Sequence, residues 1–420
     1  MFKPRFFYTL ALYLLLPLIP LRLLWRARKQ STYLRHWPER FGWYPAAPQP
    51  AVIWIHAVSV GETRACAPLI AALQARYPQH RILLTHMTPT GRETGWDLFG
   101  SRVTQAYLPY DYPGAMRRFL MHFNPVFGLL METELWPNLI AACQQRGTPL
   151  ALINARLSAR SARGYARVAG LAREALHALP LICAQTSADA ERFTQLGVRC
   201  ITVTGNMKFD VAPPPDAADQ ARRLRALWGE QRAVLLFAST REGEEALVLE
   251  ALGTPLPHQL LVIVPRHPQR FDAVAALLTA QRIPFQRRSE NAPLHATTQV
   301  LLGDSMGEMF AYYGAADIAI IGGSLLPFGG QNLIEACAMG VPVILGPHTY
   351  NFVQAAEDAI AAGAALRASD AREALTQAQR LLQDTATRKQ MGEAALRFAA
   401  MHRGATARTL TAIEEQRVAS

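Results

Sequence analysis

From Ala51 to about Asp210 the chain alternates short apolar runs with stretches whose apolar residues recur at helical spacing. The runs are 51–58, 81–86, 103–108, 126–131, 148–153, 179–185 and 198–204. Each has the length and branching of a strand buried on both faces. Their alternation with helical patterns predicts βαβ units and a parallel sheet. Val211-Ala-Pro-Pro-Pro-Asp216 then interrupts the pattern with a stiff proline run, a candidate linker. Beyond it the alternation resumes at 232–238, 260–265, 299–302, 317–322 and 341–346, and a helical tail follows Ala371. The expected class is α/β, with two Rossmann-like domains facing a central cleft.

The N-terminus reads differently. Phe6 to Leu21 is 16 residues without a charge, between a buried segment and a full membrane span of ~20 residues. Pro17 and Pro20 predict a kink. No Ala-x-Ala-like cleavage site follows the run. Instead come Arg22, Arg26, Arg28, Lys29, Arg35 and Arg40, interleaved with Trp25, Tyr33, Trp37 and Trp43, as at a membrane interface. Residues 1–25 are therefore expected to anchor the chain, spanning the bilayer or half-inserted. The heavier basic flank on the C-terminal side predicts a cytoplasmic location for the rest. The predicted organisation is an anchor at 1–25, a first Rossmann-like domain at 26–211, a linker at 212–216 and a second Rossmann-like domain at 217–420.

Charge supports the anchor. Of the formal +11, residues 1–40 hold eight Lys/Arg against the single acid Glu39, a layout suited to an anionic membrane surface rather than nucleic acid. Five scattered cysteines with no CxxC pair exclude a disulfide framework and a structural zinc site, and fit a reducing compartment.

Several strand-end turns share the capping-box spacing: Ser59-x-x-Glu62, Ser239-x-x-Glu242, Ser305-x-x-Glu308 and Asn332-x-x-Glu335. Each marks a helix start, and each offers N–H groups to an anion. Glu62 fits both a helix cap and a general base. Gly322-Gly323 and Gly329-Gly330 bracket a loop suited to backbone contact with a phosphate. Without GxxxxGKS or GxGxxG spacing it is neither a P-loop nor a dinucleotide site. Glu335 fits a ribose diol or a cap. Arg266-His267 follows the run 260–265 and adds a cation. Glu132 and Glu134 end the run 126–131, Glu134 reading as a solvated loop residue, and Lys208 closes the last run before the linker. Arg92 stands in the turn Thr88-Pro-Thr-Gly-Arg92. Arg156, Arg160, Arg163 and Arg167 form one stripe if their segment is helical, either a solvated face or a seat for an anionic headgroup.

These motifs occur together in a recognisable order: His56-x-x-Ser59-Val-Gly-Glu62, Met131-Glu-Thr-Glu-Leu-Trp-Pro-Asn138, Thr204-Gly-Asn-Met-Lys-Phe-Asp210, Pro265-Arg-His267, Gly329-Gly-x-Asn332-x-x-Glu335 and Gly346-Pro-His-Thr-x-Asn-Phe352. The set resembles the 3-deoxy-D-manno-octulosonic acid (Kdo) transferases of Gram-negative lipopolysaccharide synthesis, from the anchor to the C-terminal helix. Gln331 and Leu333 stand where relatives often carry His and Pro. The resemblance implies a GT-B glycosyltransferase at the cytoplasmic face of the inner membrane, with CMP-Kdo as donor and a tetra-acylated, phosphorylated lipid A precursor as acceptor. It implies Glu62 as base, Glu132 and Lys208 as transition-state partners, and Arg266, His267, Met306, Gly307, Glu308, Asn332, Leu333, Ile334 and Glu335 as the CMP site. Arg92, Arg156, Arg160 and Arg163 are candidates for the acceptor. No metal or other cofactor is expected, since N–H groups and an Arg can meet the leaving phosphate, and the expected outcome is inversion. The competing readings are a GT-B enzyme using a UDP-sugar on a lipid, such as a lipid A disaccharide synthase, and an inactive membrane-anchored lipid-binding relative.

Overall fold

The computed structural model describes residues 4–28, 30–45, 51–210, 212–252 and 259–419. Lys3, Lys29 of the basic flank, and Val211 at the head of the proline run lie outside them. The chain divides into two compact units, Met1–Asp210 with Gly404–Ser420, and Val211–Arg403.

In the first unit the apolar runs become β1 (Ile53–His56), β2 (Ile82–His86), β3 (Thr104–Tyr107), β4 (Phe127–Met131), β5 (Leu150–Ala155), β6 (Leu181–Ala184) and β7 (Ile201–Val203). All pair in parallel, in the order β3-β2-β1-β4-β5-β6-β7. Every residue of β1, β2, β4, β5 and β6 is buried, which is why these strands read as continuous apolar runs. One face packs Trp54, Phe119 and Leu152, the other Ile55, Leu69 and Ile153. The strand order reverses at β1 and β4, and the crevice beyond the carboxyl ends of such a pair is where open α/β sheets bind ligands.

The second unit repeats the plan with β8 (Ala233–Thr240), β9 (Gln259–Pro265), β10 (Phe285–Arg287), β11 (Val300–Leu302), β12 (Ile318–Ile321), β13 (Val343–Leu345) and β14 (Ala365–Arg367). The order is β10-β11-β9-β8-β12-β13-β14, again parallel, with the switch at β8 and β12.

The expected domain boundary at 217–420 needs one correction. The last helix, Ala405–Ala419, belongs to the first unit. Asp210 anchors its start, accepting from the N–H groups of Gly404 and Thr406, both at 2.7 Å. Ala412 and Ile413 then enter the first unit's core, and Arg76 pairs with Glu414 at 2.6 Å.

At the N-terminus, helices Pro4–Leu15 and Leu18–Ala27 meet at a 58° bend. The break is Leu16-Pro17, with Pro17 at the cap of the second helix, whereas Pro20 sits in that helix's first turn, where an N–H is not needed. Among the described residues no single helix is long and apolar enough to cross a membrane, though this bent pair has the length and composition. Its inner face is tied down by polar bonds: Tyr8 to Asp111 (3.1 Å), Thr9 to Asn138 (2.9 Å) and the Tyr112 hydroxyl to the Leu12 carbonyl (2.7 Å). Its outer face leaves Phe7, Leu14, Leu21 and Trp25 exposed.

Candidate active site

The β1/β4 switch point carries the carboxylates. After His56 the chain turns through Ala57–Ser59 into helix Val60–Ala65, with Ser59 as its cap. The expected capping box forms in altered shape. Ser59 Oγ accepts from the Glu62 N–H at 3.4 Å and donates to Glu62 Oε1 at 2.8 Å, while Glu62 Oε2 accepts from the Val58 N–H at 2.8 Å. Glu62 is only 7% exposed. Burial, followed by the charge of Glu132, pushes its carboxyl up to about 7, against the opposing pull of the Val58 and Ser59 bonds. A carboxylate that titrates near neutrality can accept a proton there with little penalty. The cap bonds and the raised carboxyl thus belong to one residue, and the first does not exclude the second.

Glu132 follows β4 in a left-handed conformation, φ 59°, a costly choice for a side chain with a Cβ. Its N–H donates to Ile153 at 2.9 Å, continuing the sheet bonding, while Lys208 Nζ meets Oε1 at 2.5 Å. Lys208 is delivered by a tight turn, Met207–Phe209, which Asn154 pins by accepting from the Met207 N–H at 3.0 Å. Asn154 is itself left-handed, φ 49°, beside a register shift in β5. Sequence patterning missed Asn154; an Asn closing an apolar strand is its only local signal. Glu134 is half-buried, not solvated: Trp136 Nε1 donates to it at 2.7 Å, and burial raises its carboxyl. His56 is fully buried, its proton affinity lowered to about 3 by burial and by His86, so it is neutral.

The basic residues divide. Arg160, Arg163 and Arg167 lie on helix Ala159–Arg167 and are exposed, but Arg156 precedes that helix, so the predicted four-residue stripe loses its first member. Among the described residues none of these four forms an ion pair with a side chain. Arg92 does: its fork holds Glu39 at 2.8 and 3.4 Å, so its donors are already committed within the fold.

At the β8/β12 switch point of the second unit the chemistry is cationic. Arg266 follows β9, and its Nε donates to Gln331 Oε1 at 3.2 Å. His267 is exposed and resists protonation, partly through burial and then through the charges of Arg241, Arg266 and Arg270, a concentration of positive potential suited to a phosphate. Asn332 donates to Glu335 at 3.1 Å and accepts from the Ile334 N–H at 3.0 Å. Burial raises the Glu335 carboxyl, moderated by Asn332 and Arg266. The side chains of Leu333 and Ile334 are wholly buried, so only their backbone can meet a ligand. Met306 is exposed, Gly307 is left-handed, and Glu308 is held by Arg288 at 2.9 Å.

Three expectations fail here. Ser239 does not cap a helix with Glu242, because Ser239 is left-handed and the helix begins at Glu244. Ser305 bonds Tyr312 rather than the backbone, leaving Glu308 itself at the N-cap. The glycine loop is not an empty phosphate cradle either. The N–H groups of Gly323 (2.6 Å) and Leu325 (3.0 Å) already donate to Glu244, a completely buried carboxylate that also accepts from Arg241 (2.8 Å). Gly322 is required there because a Cβ would lie 2.5 Å from the Ser239 carbonyl oxygen.

Residues 35–211 match the family model "3-Deoxy-D-manno-octulosonic-acid transferase (kdotransferase)", and residues 278–398 match "Glycosyl transferases group 1". A 3-deoxy-D-manno-octulosonic acid transferase of Bordetella pertussis is 50% identical over 97% of this chain and 98% of its own length. The chain belongs to the Kdo transferase family. A Haemophilus influenzae Kdo transferase is 39% identical over 97% of each chain. Among solved structures, the UDP-GlcNAc 2-epimerase of Neisseria meningitidis shares the fold (TM-score 0.57, 16% identity, 87% of this chain and all of that one). The chain is thus a glycosyltransferase that transfers Kdo, built from two Rossmann-like units of the GT-B class.

Proposed function

We propose that this Kdo transferase takes its sugar from CMP-Kdo and places it on a tetra-acylated, phosphorylated lipid A precursor, with inversion. The observation that carries the mechanism is Glu62: buried, titrating at about 7, and set at a switch point beside the Glu132–Lys208 pair. The acceptor hydroxyl gives its proton to Glu62 as its oxygen attacks the anomeric carbon. The bond from that carbon to the CMP phosphate breaks, and its electron pair leaves with CMP. One displacement in line with the leaving group inverts the centre. Lys208, held by Glu132, offsets negative charge near the reacting sugar. Arg266, with Arg241 beside His267, attracts the phosphate, and Glu335 holds the ribose. The backbone at Leu333 and Ile334 and the segment Met306–Glu308 complete the CMP site. Arg160 and Arg163 meet acceptor phosphates. The leaving group needs no metal, so EDTA leaves the rate unchanged. The exposed apolar face of the N-terminal helices holds the enzyme to the cytoplasmic face of the inner membrane.

The test offers CMP-Kdo and UDP-GlcNAc in turn with the acylated acceptor. Transfer from CMP-Kdo alone, with an anomeric configuration opposite to the donor's by NMR, is expected. Transfer from the UDP-sugar, or retention, would overturn the reading.

A further inference from the structure

Between the N-terminal helix pair and the carboxyl edge of the first sheet lies a cavity of about 690 Å³, within the ~300–1,000 Å³ of ordinary ligand sites. One wall is aliphatic: Leu12, Leu15, Ile19 and Leu23 from the helix pair. Opposite stand Tyr110 and Trp136, and Val58 also lines it. Val58 is the residue whose N–H holds Glu62. The cavity therefore reaches the turn that carries the candidate base.

Its charged lining is mostly cationic. Arg22, Arg26 and Arg40 all line it. Arg40 is the unusual one, because only 2% of it is exposed, yet its Nε and Nη2 have no hydrogen-bond partner. Its Nη1 donates to the Met87 carbonyl at 3.1 Å, and its guanidinium lies 4.0 Å from the Tyr107 ring centroid. The two nearby acids are spoken for. Glu39 serves Arg92, His36 and the Tyr107 N–H, and Asp111 serves Tyr8 and the N–H groups of Asn138 and Leu139. A buried cation without an anion is costly, and an incoming phosphate would supply the missing partner.

With an aliphatic wall and a buried cation short of an anion, the cavity matches a phosphorylated acyl lipid. We infer that it seats one acyl chain of the acceptor, with a phosphate at Arg40, so that the N-terminal helices form part of the acceptor site as well as a membrane contact. This rests on the proposed acceptor class. The helix pair is thereby a specificity element: chains that reach Ile19 and Leu23 bind, shorter ones lose that burial.

The full-length enzyme is photolabelled with a diglucosamine bisphosphate carrying four acyl chains, one ending in a diazirine. Label on the helix pair or on Tyr110–Tyr112 is expected, and label only elsewhere overturns the inference. With acceptors of graded chain length, the wild-type KM falls as chains lengthen. Ile19→Trp, which fills the cavity, should raise the long-chain KM by about tenfold, the burial of roughly two methylenes, and flatten that trend while leaving the CMP-Kdo KM unchanged. An unchanged trend overturns the inference. Arg40→Met should weaken the phosphorylated acceptor and leave one lacking phosphate unaffected; equal weakening of both would mean a merely structural arginine. Complete competition of that label by phosphatidylglycerol vesicles would reassign the cavity to bilayer lipid and sink the acceptor role. Because labelling needs no turnover, an enzyme that labels as expected but transfers nothing would fail the proposed function and not the cavity.

Discussion

Each unit places a glutamate on the helix that follows the first strand of its switch point, and the two glutamates have opposite fates. Glu62 has two donors, Val58 and Ser59, remains 7% exposed, and feels the charges of Glu132 and Glu134. Glu244 is completely buried and has its oxygens filled by the N–H groups of Arg241, Gly323 and Leu325. The first turn of the corresponding helix thus carries the proposed proton acceptor in the first unit and a fixed clamp on the glycine loop in the second. What separates them is how fully the carboxylate is satisfied and which charges stand nearby. A saturated carboxylate organises its surroundings, whereas an undersaturated one beside like charges can react.

Four experiments press on this contrast. Glu62→Gln keeps the hydrogen-bonding shape and removes the proton acceptor, so kcat should fall by about 10²–10⁴ with CMP affinity unchanged by calorimetry. Comparable loss of CMP binding would make Glu62 a clamp like its counterpart. Glu244→Ala leaves buried N–H groups unpaired, at about 1–3 kcal/mol each. A clear drop in Tm and weaker CMP binding should follow, and a stable variant with normal affinity would break the comparison. The third turns on pH. Below about 7 Glu62 is protonated and cannot accept a proton, so kcat/KM should decline as pH falls through that value. Glu132 is the second cause of the elevation, after burial, so in Glu132→Gln the acid limb of the residual rate should move to lower pH. A limb that stays in place would assign it to another group. The smallest effect is expected from Gln331→Ala, which removes one bond to Arg266 and should weaken CMP binding by a few fold, for about 0.5–1.5 kcal/mol; no change would remove Gln331 from the site.

Much of the architecture was readable because strands buried on both faces leave long apolar runs. The two strands absent from the reading, β10 (Phe285–Arg287) and β14 (Ala365–Arg367), are three-residue strands at the two edges of the second sheet. Edge strands are short and end in polar residues such as Arg287 and Arg367, so no run betrays them. Spacing located Ser59 and Glu62 as a cap, but the same spacing misled at Ser239 and Ser305. There the backbone turned left-handed or the hydroxyl found Tyr312 instead. Glu244 was invisible because its partners, Gly323 and Leu325, lie far along the chain.

The sequence by itself determined two parallel α/β units, the strand ends that carry Glu62, Glu132 and Arg266, and an apolar N-terminus flanked by arginines. These are local properties, written in runs of apolar residues and the polar residues that terminate them. Tertiary structure decided which of those polar residues have free chemistry. It joined the last helix to the first unit through Asp210, committed Arg92 to Glu39, and brought Glu132 close enough to raise the Glu62 carboxyl. Burial and charge act through space, between residues that the chain separates and the sheet brings together.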